Sequence, residues 1–338
     1  MLISHFPGYV EALAPAKLNL FLEVVCRRDD GFHEIETVIV AISIFDTIRF
    51  SPTEEPEIEL TSVSAMGRVA QARASGKTEA LMGDVPSGTQ NLVYQAVERL
   101  RRRAGERRGA TIQLVKRIPS AAGMGGASSD AACAMLAAND AWGLGWTRGE
   151  LSELAAELGS DVPFFLGTQA AICRGRGEKI EPISGPTSLP LVVVRPPEGL
   201  PTALVYKHCS PATRRVTAEP LVSAFRKGDL QQISQNLTNG LQPAATTLSP
   251  WISRLHDEFN RLDCLGHQMS GSGTSYFGIC RHFRHARRMA ARLRSAKLGY
   301  VAVANTISTP RLFPKTASDL QGEPHGYHRG SHQAHGRL

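Results

Sequence analysis

The sequence predicts an α+β protein, on two observations. Apolar runs of strand length, alternating or continuous, occur at residues 18–25, 37–50, 111–116, 170–173, 191–195, 276–280 and 301–304, as half-buried or fully buried strands require. Residues 91–103, 129–141, 147–158, 220–226 and 284–296 read as helices and interleave with those runs. Interleaving of this kind implies layers of helix on sheet rather than a bundle or a sandwich. No internal repeat is found.

The first strand opens at Pro15-Ala16-Lys17-Leu18-Asn19-Leu20, where Lys17 and Asn19 share a face because residues two apart point the same way. Two polar groups there suit a functional site or an exposed strand edge. Residues 52–89 mix charge, small residues and several Gly and Pro without a long periodic apolar face. They are expected to form a mobile or poorly packed insertion. Strand 111–116 then empties into a turn containing Gly123, Gly125 and Gly126, followed by Ser128, Ser129, Asp130 and the alanine-rich run 131–138. A glycine-rich turn opening a helix presents amides and the positive helix end to an anion, here most naturally a nucleotide polyphosphate. It is neither a Walker A loop nor a Rossmann fingerprint, because no Gly-Lys-Ser/Thr closes it and the glycines do not fall at Gly-x-Gly-x-x-Gly. The alternative is a tight turn capped by Ser128, Ser129 or Asp130. A second glycine turn, Met269-Ser270-Gly271-Ser272-Gly273, precedes strand 276–280. In helix 284–296, Phe283, Ala286, Met289, Ala290 and Leu293 recur at three- and four-residue steps, so its arginines form a solvated face.

Composition narrows the class. At 338 residues, 42% hydrophobic and 20% charged, the chain is that of a globular enzyme-sized protein. No apolar run approaches the ~20 residues of a membrane span, and without a basic region leading into an apolar one near residue 1, secretion through a leader is not expected. The six cysteines lack a Cys-x-x-Cys pair and are expected to be buried thiols in a reducing cytoplasm. The net charge of +7 permits nucleic-acid binding, but no recognised module or aromatic–basic interleaving accompanies it. From about residue 314 the chain is rich in Gly, His and Ser; His325, His328, His332 and His335 are competent metal ligands in a tail otherwise expected to be disordered.

Taken in order, the Lys17–Asn19 strand, the central glycine loop and the second glycine turn resemble the three motifs of the GHMP small-molecule kinases. Arg27-Arg28-Asp29-Asp30-Gly31-Phe32-His33-Glu34 and Leu158-Gly159-Ser160-Asp161-Val162-Pro163 narrow the resemblance to the branch acting on a cytidine diphosphate-linked methylerythritol in the non-mevalonate isoprenoid route. The resemblance spans Pro15 to Gly273. It implies a two-lobed fold with mixed sheets and packed helices around a central cleft: an ATP-binding lobe at 1–184, a second lobe at 185–310, and the basic, histidine-rich tail at 311–338.

It also implies roles. Asp161 would take the hydroxyl proton and Lys17 would hold hydroxyl and carboxylate in place. ATP, with Mg²⁺, would be held by Gly123, Gly125, Gly126, Ser128 and Ser129, with Asn91, Lys116 and Pro119 toward the adenosine end; the Mg²⁺ ligands are not specified. His33 would read cytosine between Phe32 and Tyr206, while Asn19, Thr202, Gly271 and Gly273 complete the substrate set. Two departures stand out: Phe32 replaces a usual tyrosine, and Asn239-Gly240-Leu241-Gln242 replaces Asn-Asp-Leu-Glu, removing two carboxylates. Other alcohols, such as mevalonate, homoserine or a sugar, and a degenerate binding scaffold are the competing readings. The latter would be marked by loss of Lys17 or Asp161, and both are present. Monomer and homodimer remain open, and neither nucleic acid nor membrane is expected as a partner.

Overall fold

The computed structural model describes residues 2–65, 85–186, 188–211 and 216–307. The tail at 311–338, with its histidines, and residues 66–84 of the expected insertion lie outside the described residues.

In chain order the elements are β1 (Leu2–Phe6), β2 (Tyr9–Arg27), β3 (His33–Thr53), β4 (Ile58–Ser64), α1 (Leu92–Ala104), β5 (Gly109–Lys116), α2 (Gly126–Ala141), α3 (Arg148–Ala156) and α4 (Val162–Gly167). There follow β6 (Ala170–Gly175), β7 (Lys179–Pro182), β8 (Pro190–Arg195), α5 (Thr202–His208), α6 (Glu219–Lys227), α7 (Leu230–Gln235), β9 (Thr238–Asn239), α8 (Gln242–Leu248), α9 (Pro250–Asn260), β10 (Gly266–Met269), β11 (Tyr276–Ile279), α10 (Phe283–Ser295) and β12 (Tyr300–Asn305). One sheet runs β1-β2-β3-β5-β4, with β6 and β7 branching from β3 and β9 parallel to β2; a second runs β10-β11-β8-β12.

Helices α1 to α4 cover one face of the first sheet. Its other face packs Leu18, Leu20, Val38 and Val40 against Leu191, Val193 and Phe277 of the second sheet. That second sheet is buried on both sides: Val192 and Val194 of β8 turn the opposite way, toward Ile252, Leu255 and Phe259 of α9 and Met289 of α10. Burial on both faces explains why 191–195 reads as an unbroken apolar run. Helix α2 is likewise enclosed, and its alanines 131, 132, 134, 137 and 138 are small enough to let it lie against the sheet.

The structure corrects the expectation for 52–65. β3 continues to Thr53, and Ile58–Ser64 is a strand parallel to β5, from Ile58↔Ala110 to Ser64↔Lys116. Its short alternation of Ile58 and Leu60, both packed on the core, was hidden among Glu, Pro and Ser. The cysteines also differ from expectation: Cys26 is exposed, and Cys209 and Cys264 are only half-buried. Helix α10 keeps its apolar stripe inward, except Phe283, which is 38% exposed.

Behind β10 and β11, the buried Tyr276 hydroxyl lies 3.1 Å from Nδ1 of both His256 and His267. Burial, then the neighbouring His256, pushes His267 down to about 4. The unfolded chain takes up that proton near the ordinary histidine value, the folded chain only near 4. Stability is therefore expected to fall as pH drops between those values, because the unfolded state binds more protons there. Denaturant midpoints across this range check it; a His267→Gln variant should show a shallower slope.

Candidate active site

β2 and β3 are interrupted by irregularities between Pro15/Ala16 and Asn19/Phe21, and such bulges re-aim side chains. Lys17 and Asn19 lie between them on a central strand, 5% and 2% exposed, which removes the edge-strand alternative. Lys17 Nζ donates to Asn19 Oδ1 at 2.8 Å and stands 3.6 Å from an Asp161 carboxylate oxygen. Asp161 occupies the N-cap position of α4 but makes no capping hydrogen bond. Its side chain is 37% exposed, so the carboxylate is left to the cleft and the lysine.

Helix α2 starts at Gly126 behind Gly125, whose φ is +66°, and no side chain caps it. Ser128, Ser129 and Asp130 therefore lie within the helix rather than at its cap. A side chain at Gly125 would meet Lys17 Cγ at 2.9 Å and Phe165 Cζ at 3.0 Å, so glycine lets Lys17 pass under the loop. The loop is stitched on two sides, by Lys17 N to Met124 O at 2.9 Å and by Ser270 Oγ to Gly123 O at 3.1 Å. At Gly123 (φ +70°) a Cβ would lie 2.3 Å from Ser270 O: the two glycine turns touch.

These elements border one cleft of about 1020 Å³. Of the expected residues, Lys17, Asn19, Phe32, His33, Lys116, Pro119, Gly123, Gly125, Gly126, Ser128, Asp161, Thr202, Tyr206 and Gly271 line it; Asn91, Ser129 and Gly273 do not. Asn91 is 5% exposed and caps α1, accepting from Val93 N at 2.9 Å and donating to Pro86 O at 2.8 Å. Ser129 is fully buried, and no hydrogen bond to its Oγ is found among the described residues. Gly273 belongs to the second turn and faces the Met269 side chain. Lys116 reaches the cleft wall, but its ammonium is held between the Asp46 and Asp130 carboxylates, at 2.6 Å from the latter. Burial pushes the Asp130 carboxyl well above the usual range, against the opposing pull of Lys116.

At the other end Tyr206 rests on His33, ring centres 5.1 Å apart, while Phe32 is 54% exposed with the Arg176 guanidinium 4.8 Å over its ring. Burial, then Arg27, lowers the His33 pKa. The lowering favours the neutral imidazole, which can donate from one nitrogen and accept at the other. Thr202 Oγ1 and Ser272 Oγ meet at 2.9 Å across the cleft rim.

Several cleft residues escaped the sequence: Thr37, Ser272, and the cations Arg27, Arg176 and Lys207. Arg27 and Ser272 were visible only as parts of motifs; the others had no local signal. The Asn239 segment also gains an account. Asn239 Nδ2 donates to Met269 O and Gly271 O at 2.8 and 2.9 Å, buttressing the second turn, and Gln242 Oε1 accepts from Met269 N at 2.9 Å. A Cβ on Gly240 would stand 2.8 Å from Glu23 Oε1, so a carboxylate there would crowd another.

The comparisons with known proteins follow this geometry. The family models GHMP kinases N terminal domain and GHMP kinases C terminal match residues 91–168 and 221–298. Fold and site define a small-molecule kinase of that class, two-lobed with mixed sheets and packed helices around a cleft. A protein of Pelotomaculum thermopropionicum named 4-diphosphocytidyl-2-C-methyl-D-erythritol kinase is 40% identical over 287 residues, 84% of this chain and 94% of that one. A namesake from Shouchella clausii is 36% identical over 83% of this chain and 89% of its own. A crystal structure of 4-(cytidine 5'-diphospho)-2C-methyl-D-erythritol kinase superposes with TM-score 0.73 at 33% identity, over 88% of this chain and all 100% of that one. The chain belongs to the 4-diphosphocytidyl-2-C-methyl-D-erythritol kinase family of the GHMP kinases. A homoserine kinase from Cytophaga hutchinsonii, TM-score 0.66 at 16% identity over 91% of this chain and 97% of that one, shares the fold. Among the described residues no helix is long and apolar enough to cross a membrane.

Proposed function

We propose that this chain transfers the γ-phosphoryl group of ATP to the 2-hydroxyl of 4-diphosphocytidyl-2-C-methyl-D-erythritol, a step of the non-mevalonate route to isoprenoid precursors. The observation that carries the reading is the Lys17–Asp161 contact of 3.6 Å within a cleft bordered by a glycine loop at one end and a His33–Tyr206 pair at the other. Phosphoryl transfer needs positioning and charge neutralisation more than covalent help. Asp161 accepts the proton of the attacking hydroxyl; Lys17 holds that oxygen and the carboxylate in register and offsets negative charge developing between them.

The phosphates lie at the start of α2, where Gly125, Gly126, Ala127 and Ser128 line the cleft at the positive helix end. Mg²⁺ fits this site. It favours phosphate oxygens, waters and few protein ligands; Ser128 stands on the cleft wall and Ser129 Oγ is a buried oxygen without a partner among the described residues. When bound with ATP it neutralises phosphate charge. The neutral His33 reads the cytosine edge, with Tyr206 and Phe32 supplying aromatic faces worth ~1–3 kcal/mol per stacked base. Phe32 keeps the face and gives up the phenol hydrogen bond of a tyrosine.

Incubation with Mg-ATP and the cytidine alcohol, followed by ³¹P NMR, tests this. A new phosphomonoester resonance coupled to the branched carbon is expected, and its absence would remove the substrate assignment.

A further inference from the structure

We infer that Thr37 is a positioning residue that sets the orientation of the Asn19 amide and through it the lysine of the reaction, a role that rests on the kinase reading of the cleft. Thr37 is 1% exposed on β3, across the pair of strands from Lys17 and Asn19. Its hydroxyl donates to Phe21 O at 2.6 Å, so its one proton is committed and the oxygen can only accept. Asn19 Nδ2 supplies that donor at 2.8 Å. The amide's other end, Oδ1, is thereby turned to Lys17 Nζ, 2.8 Å away. The opposite orientation would set an oxygen against an oxygen at Thr37 and an NH₂ group against the ammonium.

The rest of Asn19 is equally constrained. Its backbone N–H donates to Ser270 Oγ at 3.2 Å and its carbonyl accepts from Gln268 Nε2 at 2.9 Å. Because Ser270 Oγ also donates to Gly123 O, the residue that aims Lys17 is tied to the phosphate loop. One N–H and one lone pair of the Asn19 amide are thus spent on the protein, and Thr37, together with the Lys17 ammonium, decides which way round it lies. With the amide free to turn, Lys17 loses its fixed acceptor and its approach to Asp161.

Thr37→Val removes the hydroxyl at nearly constant volume, and Thr37→Ser restores it. With the cytidine alcohol and Mg-ATP, kcat of Thr37→Val is expected to fall by about 10²-fold, the loss typical of misplacing a reacting group by an ångström. KM for ATP should change little and Thr37→Ser should recover most of kcat. Undiminished kcat in Thr37→Val, or a serine variant losing as much as the valine, would overturn the inference. A second readout needs no turnover: the rate at which an amine-directed acylating reagent modifies Lys17, followed by mass spectrometry on free protein. The Asn19 acceptor holds Lys17 Nζ in its buried place, so acylation should rise several-fold in Thr37→Val, where that hold is lost, and return to the parent rate in Thr37→Ser. Equal rates in all three proteins would overturn it. Should the parent protein phosphorylate no alcohol, the kinase reading fails, and the acylation rates alone judge the orientation of Asn19.

Discussion

Asp161→Asn is expected to lower turnover by about 10²–10⁴-fold, the range for loss of a positioned general base. The amide keeps the size and much of the polarity of the carboxylate but cannot accept the hydroxyl proton. The fold should survive, since Asp161 makes no cap hydrogen bond for α4 and is more than a third exposed. KM for ATP should stay near that of the parent, because the phosphate site proposed above is at the start of α2. Steady-state kinetics beside a thermal melt separate these effects. A variant that melts like the parent and still turns over at a comparable rate would remove Asp161 from the chemistry.

The second large effect is on stability. Lys116→Met should destabilise the protein by about 3–5 kcal/mol, the usual result of removing one partner from a buried ionic group. Lys116 is 4% exposed, and its ammonium is shared by Asp46 and Asp130, both buried. Without it two carboxyl groups face each other in the core. Asp46 also accepts from the amides of Arg117 and Ile118, so the strand leading into the glycine loop loosens as well. Urea midpoints measure the loss, and adding Asp130→Asn should recover part of it by removing one carboxyl group. A loss below ~1 kcal/mol, the scale of an exposed pair, combined with weaker ATP binding, would instead give Lys116 to the adenosine.

What could be read from the sequence follows from how local each signal is. The strand at 191–195, helix 284–296 and the glycine loop were legible because apolar periodicity and φ-permissive residues leave local marks. Helix α9 was missed although Ser249 caps it, accepting from Trp251 N at 3.3 Å, with Pro250 in its first turn and Ile252, Leu255 and Phe259 on one face. Those marks were present but surrounded by short polar connections. β4 depends on β5, distant in sequence, and the early part of β2 on the end of β3, whereas β1 folds back on β2 through a tight turn. The site divides the same way. Lys17, Asp161 and the loop glycines were found through motifs, whereas Thr37 acts only through Asn19 and Phe21 on the adjacent strand. Asp46 and Lys116 are far apart in sequence and meet only once β3 and β5 pair. Asn91 and Ser129 are absent from the cleft wall, a difference that only the folded arrangement reveals, since Lys17 and Lys116 are just as deeply buried and do line it.

The most direct measurement is ADP release by purified protein given Mg-ATP with 4-diphosphocytidyl-2-C-methyl-D-erythritol, and in parallel with mevalonate, homoserine and galactose, beside the Asp161→Asn variant. Release with the cytidine alcohol alone, lost in the variant, is the predicted result. Release with one of the other alcohols instead, or an Asp161→Asn protein as active as its parent, would contradict it.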